Sequence, residues 1–498
     1  SRMFGSDLAE GLAKLHQTGM METFMDAASI PRTLSSSYDF SAPFRQGWML
    51  GAGHPRQFWV EATPAMFKVA FSKKNAFALD EAIRSHSDFW LAQQAKVYYD
   101  PSFVGEVVAI GAREERFASN IATKIPLLGP GVKASQRAYV GFLNKLRHDV
   151  FYNIVDGWRS AGLNIDSPHL PNYRPELLEQ LGHHINILTG RGTLGSAEKF
   201  APLLNASFFA PKFTMSRFQA LTQAGKLFLP EGKKVPIIGE GLAPEMKKVV
   251  AKDLVSWFGT NSMILGLLSF LPGVTVELDP RSSEFGKGKI GNVRFDFWSG
   301  MQPVAVYLAR LTTNQIKDSG GFVKPAGGPV GGRVDVTGRF ARSKASPLFG
   351  AASDLNDGET FLGAKLRWDA DTIGREAFER LAPLSIQDVK DAMWQDGSLN
   401  VFGAPRAVPA FFGIGVQIYK TTNELRDEIT QEYRPGMRFT DITDAELRQK
   451  ILDDDRYINK LEENKKLYGT GTDLSAEEQI KEAFAKIEIA KAEAATIF

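Results

Sequence analysis

Apolar residues recur along most of this chain at three- and four-residue steps, the spacing of one face of an α-helix. The clearest case follows the Pro130-Gly131 break, where Ser135 supplies an N-cap. Tyr139, Phe142, Leu143, Leu146, Val150, Ile154 and Trp158 then share one stripe, with Lys145, Arg147 and Asp149 off it. The pattern predicts a buried-face helix of about six turns. A membrane-surface helix would cluster cations on its polar side, and here Asp149 and Asp156 dilute them. Near the C-terminus Ser475 and Glu478 fit a capping box ahead of strong helix formers through Ala495.

A different pattern runs from Leu254 to Val276, 23 residues without a charge, preceded by Lys247, Lys248 and Lys252. At about 1.5 Å per residue this is long enough for ~30 Å of hydrocarbon. Ser256, Thr260, Asn261, Ser262 and three glycines interrupt it, and Pro272 stops the helix after Leu271. The segment therefore reads as a fully buried core helix, with a membrane element as the other reading. Leu254, Trp257, Phe258, Ile264, Leu267, Leu268 and Leu271 are its candidate contact residues. Gly259, Ser262, Gly266 and Ser269 recur at three- and four-residue steps that suit close helix packing in either setting.

Glycine and proline concentrate between Pro272 and Gly332. There Val274–Leu278 and Asn292–Phe297 alternate like short strands, with Gly286–Gly291 as a hairpin connection between them. Asp279, Arg281, Asp296 and Trp298 are expected to organise this region. Asp279-Pro280 favours a turn, and Arg281 should pair with Asp279 or Asp296. The fold class is mainly α: a multi-helix assembly with a small antiparallel β-hairpin region around 274–300.

Composition narrows the chemistry. The 498 residues allow roughly two to four domains. Along the chain they divide into an N-terminal helical segment 1–27, a helical body 28–275 and a Gly/Pro-rich part with short strands 276–370. A helical segment 371–420 and an acidic helical extension 421–498 follow. Net charge is +2. It is uneven: residues 421–498 carry a net of −6, leaving +8 on residues 1–420. A diffuse +8 reads as a solvated surface before it reads as a nucleic-acid footprint. There is no cysteine, which removes disulfides, thiolate metal sites and cysteine nucleophiles. The chain opens on Ser1 without the charged-then-apolar pattern of a leader. It reads as a processed product or a piece of a larger protein; a cloning scar would explain the missing Met equally well.

The local motifs argue against known sites. Gly190, Gly192 and Gly195 match the dinucleotide spacing, but the next carboxylate after Glu198 is Glu231, too far to hold a ribose. A helix C-cap turn explains them better. Gly286–Gly291 matches again, yet precedes a strand, so no helix dipole faces a phosphate. His183-His184 point about 100° apart on a helix and lack metal-ligand spacing, so one should be buried and one exposed. Asp453-Asp454-Asp455 reads as a solvated helix surface, without EF-hand spacing. No metal or cofactor is expected. A carboxylate pair assembled in space leaves no local signature, so acid–base work stays open.

Six segments in order carry a resemblance. They are Asp39–Gly47, Arg137–Arg147, Ile185-Asn186 with Thr189–Gly192, Glu277–Lys287, Ile290–Asp296 and Pro409–Gly415. Together they resemble the large polyvalent protein-associated domain of very long proteins in tailed phages and mobile elements, over roughly residues 28–420. That resemblance implies a structural internal virion protein, packaged near the portal and ejected into the host envelope. It implies a homo-oligomer, with other virion proteins, DNA and the host membrane as its partners. The family has no catalytic residues to carry over, so no enzymatic role is expected. The other readings are a co-injected protective module that blocks restriction, and a helical scaffold of a larger chain.

Overall fold

The computed structural model describes residues 40–100, 129–169, 171–318, 321–326, 332–358, 411–418 and 421–468. It adds positions 380, 394–395, 398–399 and 409. The helix expected over Ser475–Ala495 lies outside the described residues. Contacts divide the chain into two compact units. The first takes 1–316, 325–349 and 375–418; the second takes 317–324, 350–374 and 419–498.

The first unit is helical, with one four-stranded sheet and smaller two-stranded ones among the described residues. In chain order its main elements are α1 (Thr63–Phe71), α2 (Lys73–Arg84), α3 (Gly129–Ser160), α4 (Pro175–Leu188), α5 (Pro211–Lys226) and α6 (Pro244–Ser269). Then come β1 (Val274–Val276), β2 (Gly288–Ile290), β3 (Val293–Asp296), α7 (Gln302–Thr313), α8 (Gly332–Arg342) and β4 (Gly415–Ile418). Proline opens α4, α5 and α6 in the first turn, where its missing N–H has no helical partner to lose.

Helix α3 is the spine, packed by α1, α2 and α4. All seven residues of its expected stripe are buried. Fully burying such side chains is worth roughly 1.5–3 kcal/mol each. Two details differ from expectation. The helix starts at Gly129, so Ser135 lies inside it, buried, instead of capping it. Arg147, off the stripe, is also buried. Its guanidinium donates to Thr189 Oγ1 at 2.8 Å, Thr189 O at 3.3 Å and Tyr98 O at 3.2 Å, tying α3 to the end of α4. That end is the expected C-cap: Thr189 closes α4 and Gly190 follows at φ +82°. A Cβ on Gly192 would stand 2.5 Å from Ser216 N, so this glycine serves close packing on α5.

The hairpin region holds more strands than expected. Gly288–Ile290, read as part of a connection, is itself the inner strand β2, paired with both β1 and β3. The turn is shorter, only Gly291-Asn292, with Gly291 at φ +57°. A fourth strand, β4, joins the outer edge of β3 with Val293 opposite Ile418, giving the antiparallel order β4-β3-β2-β1. Nothing local marks residues 415–418 as the partner.

The second unit contains α9 (Thr422–Tyr433), α10 (Ala445–Leu452) and α11 (Asp455–Tyr468) around Ile429, Phe439, Ile451 and Tyr457. Thr421 and Glu424 form a reciprocal capping box at α9. The Asp453–Asp455 run is not a helix surface. It is the junction at which Asp453 ends α10 and Asp455 begins α11, with Asp454 held by Arg456 at 2.9 and 3.0 Å.

Candidate interaction face on helix α6

An uncharged run should bury its apolar side chains, and α6 does so on only part of its circumference. Met246, Val250, Trp257 and Leu265 point inward, but Asp253 and Asn261 share their stripe and are fully buried. Each polar group is held from elsewhere in the unit. Trp48 Nε1 donates to Asn261 Oδ1 at 3.0 Å. His184 Nε2, from α4, lies 3.1 Å from Asp253 Oδ2, so the imidazole N–H donates to the carboxylate. His54 Nε2 stands 3.1 Å from Oδ1, at ion-pair distance without hydrogen-bond alignment. Burial alone would raise the Asp253 pKa, but the two histidines outweigh it and hold the group down at about 2. A Cβ on Gly53 would come within 2.5 Å of Asp253 Oδ1, so the loop can approach the carboxylate only as glycine.

Of the histidine pair, of which one member was expected to be buried, His184 is the buried one. Its neighbour is half-buried instead of exposed, and burial pushes His183 down to about 4.

The outward side of α6 is apolar. Phe270 is 85% exposed and Val255 69%, with Phe258, Met263, Leu267 and Leu271 all more than half exposed. Leu254, Ile264 and Leu268 flank them, half-buried. Cβ atoms added to Gly259 or Gly266 would meet nothing within 4 Å, so the backbone is open to close approach there. Lys248 and Lys252 are exposed at the N-terminal end of this face. Among the described residues no helix is long and apolar enough to cross a membrane. The segment 254–271 is thus not a fully buried core helix. It is a half-buried helix with polar anchors inside and apolar side chains outside.

The sheet region packs beside α6, with Trp298 set edge-on to Trp257 at 5.4 Å and tilted over Phe258 at 5.7 Å. Trp298 Nε1 donates to Gly286 O at 2.8 Å. Arg281 pairs with Asp279 through two contacts of 2.8 and 3.0 Å. Asp296 is not its partner. That carboxylate is half-buried, its pKa raised by desolvation, and it accepts from Trp298 N at 2.8 Å. The four hairpin residues therefore form two separate pairs. Arg294 and Lys287, which local reading did not single out, make the longer-range ties. Arg294 Nε donates to Glu284 at 2.8 Å and Lys287 Nζ to Gln417 on β4 at 2.8 Å.

Other chemistry is sparse. Among the described residues no three His, Asp or Glu side chains are placed to hold a metal. Carboxylates do assemble in space around shared cations; the pair with a strongly shifted member is Asp149 and Glu61, which face Lys145 at 2.6 and 3.7 Å, and burial pushes Asp149 up to about 7. An open concavity of about 650 Å³ lies in the second unit, lined by Tyr433, Glu446, Gln449, Lys450 and Asp453–Asp455. The outer face of α6 offers apolar area, small residues and two lysines, which suit packing against another surface. Comparisons with family models, curated proteins and solved structures return no match for this chain.

Proposed function

We propose that the chain is a structural internal virion protein of a tailed phage, carried in the capsid near the portal and ejected to help DNA cross the host envelope. It catalyses nothing itself. The observation that supports this reading is the outward apolar face of α6. A folded monomer keeps contiguous apolar surface in water only at a cost, and such patches mark contacts with other molecules. Gly259 and Gly266 let a second helix approach closely. The face serves assembly of copies of this chain and contact with neighbouring virion proteins. The absence of cysteine fits a chain that passes into an oxidising compartment without disulfide trapping.

Light scattering on the full chain tests the assembly role. The wild type should form a discrete oligomer, and Leu267→Asp together with Met263→Asp should reduce it to a monomer that keeps the wild-type helical content at room temperature. A wild type that stays monomeric at every concentration sinks this reading. The second reading is a co-injected protective module that binds DNA, for which the diffuse +8 of residues 1–420 is weak support. That module would show log affinity falling linearly with log salt.

A further inference from the structure

Helices α1 and α2 meet at Ser72, whose extended backbone (φ −140°, ψ 112°) turns the chain and whose Oγ accepts from Asn75 N at 3.2 Å. The corner is rigidly founded. Met66, Val69 and Ala70 are buried, and Arg137 of α3 donates to Val69 O at 3.1 Å and Ala70 O at 2.7 Å. Those bonds occupy the last-turn carbonyls of α1 that would otherwise lack partners. On this base three phenylalanines face water. Phe71 is 80% exposed, Phe77 40% and Phe67 36%.

Every charged side chain from Ala62 to Leu79 is basic (Lys68, Lys73 and Lys74), and the exposed Glu81 lies one turn beyond Phe77 on α2. None of the three forms an ion pair among the described residues; Lys73 Nζ instead lies 5.5 Å over the Phe77 ring. Lys73 and Lys74 occupy the first turn of α2, where the helix dipole disfavours cations, and no acid is present there. Exposed rings and unpaired lysines on one fixed corner both oppose stability of the isolated protein. A single partner, apolar below and anionic above, relieves both.

We propose that the α1–α2 corner docks on an anionic lipid bilayer. The phenylalanine rings enter the boundary between headgroups and acyl chains, and the lysines lie among the phosphates. A nucleic acid fits less well. Stacking a run of bases needs several free ring faces, but Phe67 is already stacked on Phe40 at 6.2 Å and edge-on to Phe412 at 6.1 Å and Phe77 lies under Lys73, which leaves Phe71 alone open. This surface is separate from the assembly face of α6, and its role stands whether or not that face assembles.

Flotation of the full chain with vesicles of one part phosphatidylglycerol to three parts phosphatidylcholine tests the inference. The wild type should float with these vesicles and not with pure phosphatidylcholine. Phe71→Ser and the pair Lys73→Glu, Lys74→Glu should each weaken binding by about tenfold or more without lowering the melting temperature. Leu267→Asp on α6 should float like the wild type. Equal binding to neutral vesicles, corner variants that bind like the wild type, or loss of binding in Leu267→Asp would each overturn the assignment. So would single-stranded DNA binding that the corner variants abolish in the absence of lipid binding.

Discussion

His148 and Asp149 are neighbours on α3, and burial moves them in opposite directions. Desolvation disfavours whichever form is charged, so it pushes His148 down to about 4, helped by Lys145 and His86. It pushes Asp149 up to about 7 against the pull of Lys145. His183 on α4 follows His148, lowered to about 4 by burial and then by Lys226. A folded-state pKa below the unfolded value near 6.5 means the native histidine resists its proton. That contribution is complete above about pH 6.5 and is lost as pH falls toward 4. Asp149 has the reverse sign: its contribution is full below about 3.8 and is lost as pH rises through 7. Melting temperature against pH should therefore show an acid limb that His183→Gln moves to lower pH. Asp149→Asn should melt higher than wild type near about pH 8 and match it near about pH 4. A lower melting temperature for Asp149→Asn near about pH 8 would mean the Lys145 contact outweighs desolvation. The sequence shows these residues only as off-stripe polar positions, because burial of the second face of α3 depends on helices that pack from elsewhere.

At the scale of the element, α6 carries the lesson most directly. Its existence, its glycines and its stop near Pro272 are legible in the residues, and its helix ends at Ser269. Its orientation is not. A charge-free run gives no polar stripe to mark the outside, and the polar residues that fix the inside, Asp253 and Asn261, are anchored by His184, His54 and Trp48 from distant positions. The only local hint is that Asp253, Trp257, Asn261 and Leu265 repeat every four residues. Removing the Asp253 carboxylate leaves His184 Nε2–H buried without an acceptor, so Asp253→Ala should lose about 3–5 kcal/mol in a denaturant titration. A loss below about 1 kcal/mol would show that the carboxylate does not anchor the helix. The Asp279–Arg281 pair was legible because both members lie within one turn. Arg281 Nη1 also donates to Gln315 at 2.6 Å, and Arg310 Nε donates to Arg281 O at 2.8 Å. Arg281→Ala should lower the melting temperature slightly, and an unchanged value would remove the pair from the account of the hairpin.

For the whole molecule, the mainly α class was legible because helical periodicity is written in local spacing. The grouping of segments was not. Residues 350–374 belong with the C-terminal unit, and β4 belongs to a sheet whose other strands lie more than a hundred residues earlier. Such partnerships are set by which surfaces meet, and spacing along the chain does not encode them. The late arrival of β4 has a consequence during synthesis. Once β1 to β3 have left the ribosome, the outer edge of Val293–Asp296 must wait about 120 residues for Gly415–Ile418. At about 5–20 residues per second that is roughly 6–24 s. For that interval the nascent chain presents an open strand edge, with Phe295 and Phe297 beside it, to every neighbour on the same polysome. Crowded translation is then a condition in which this protein is exposed to pairing with the wrong partner.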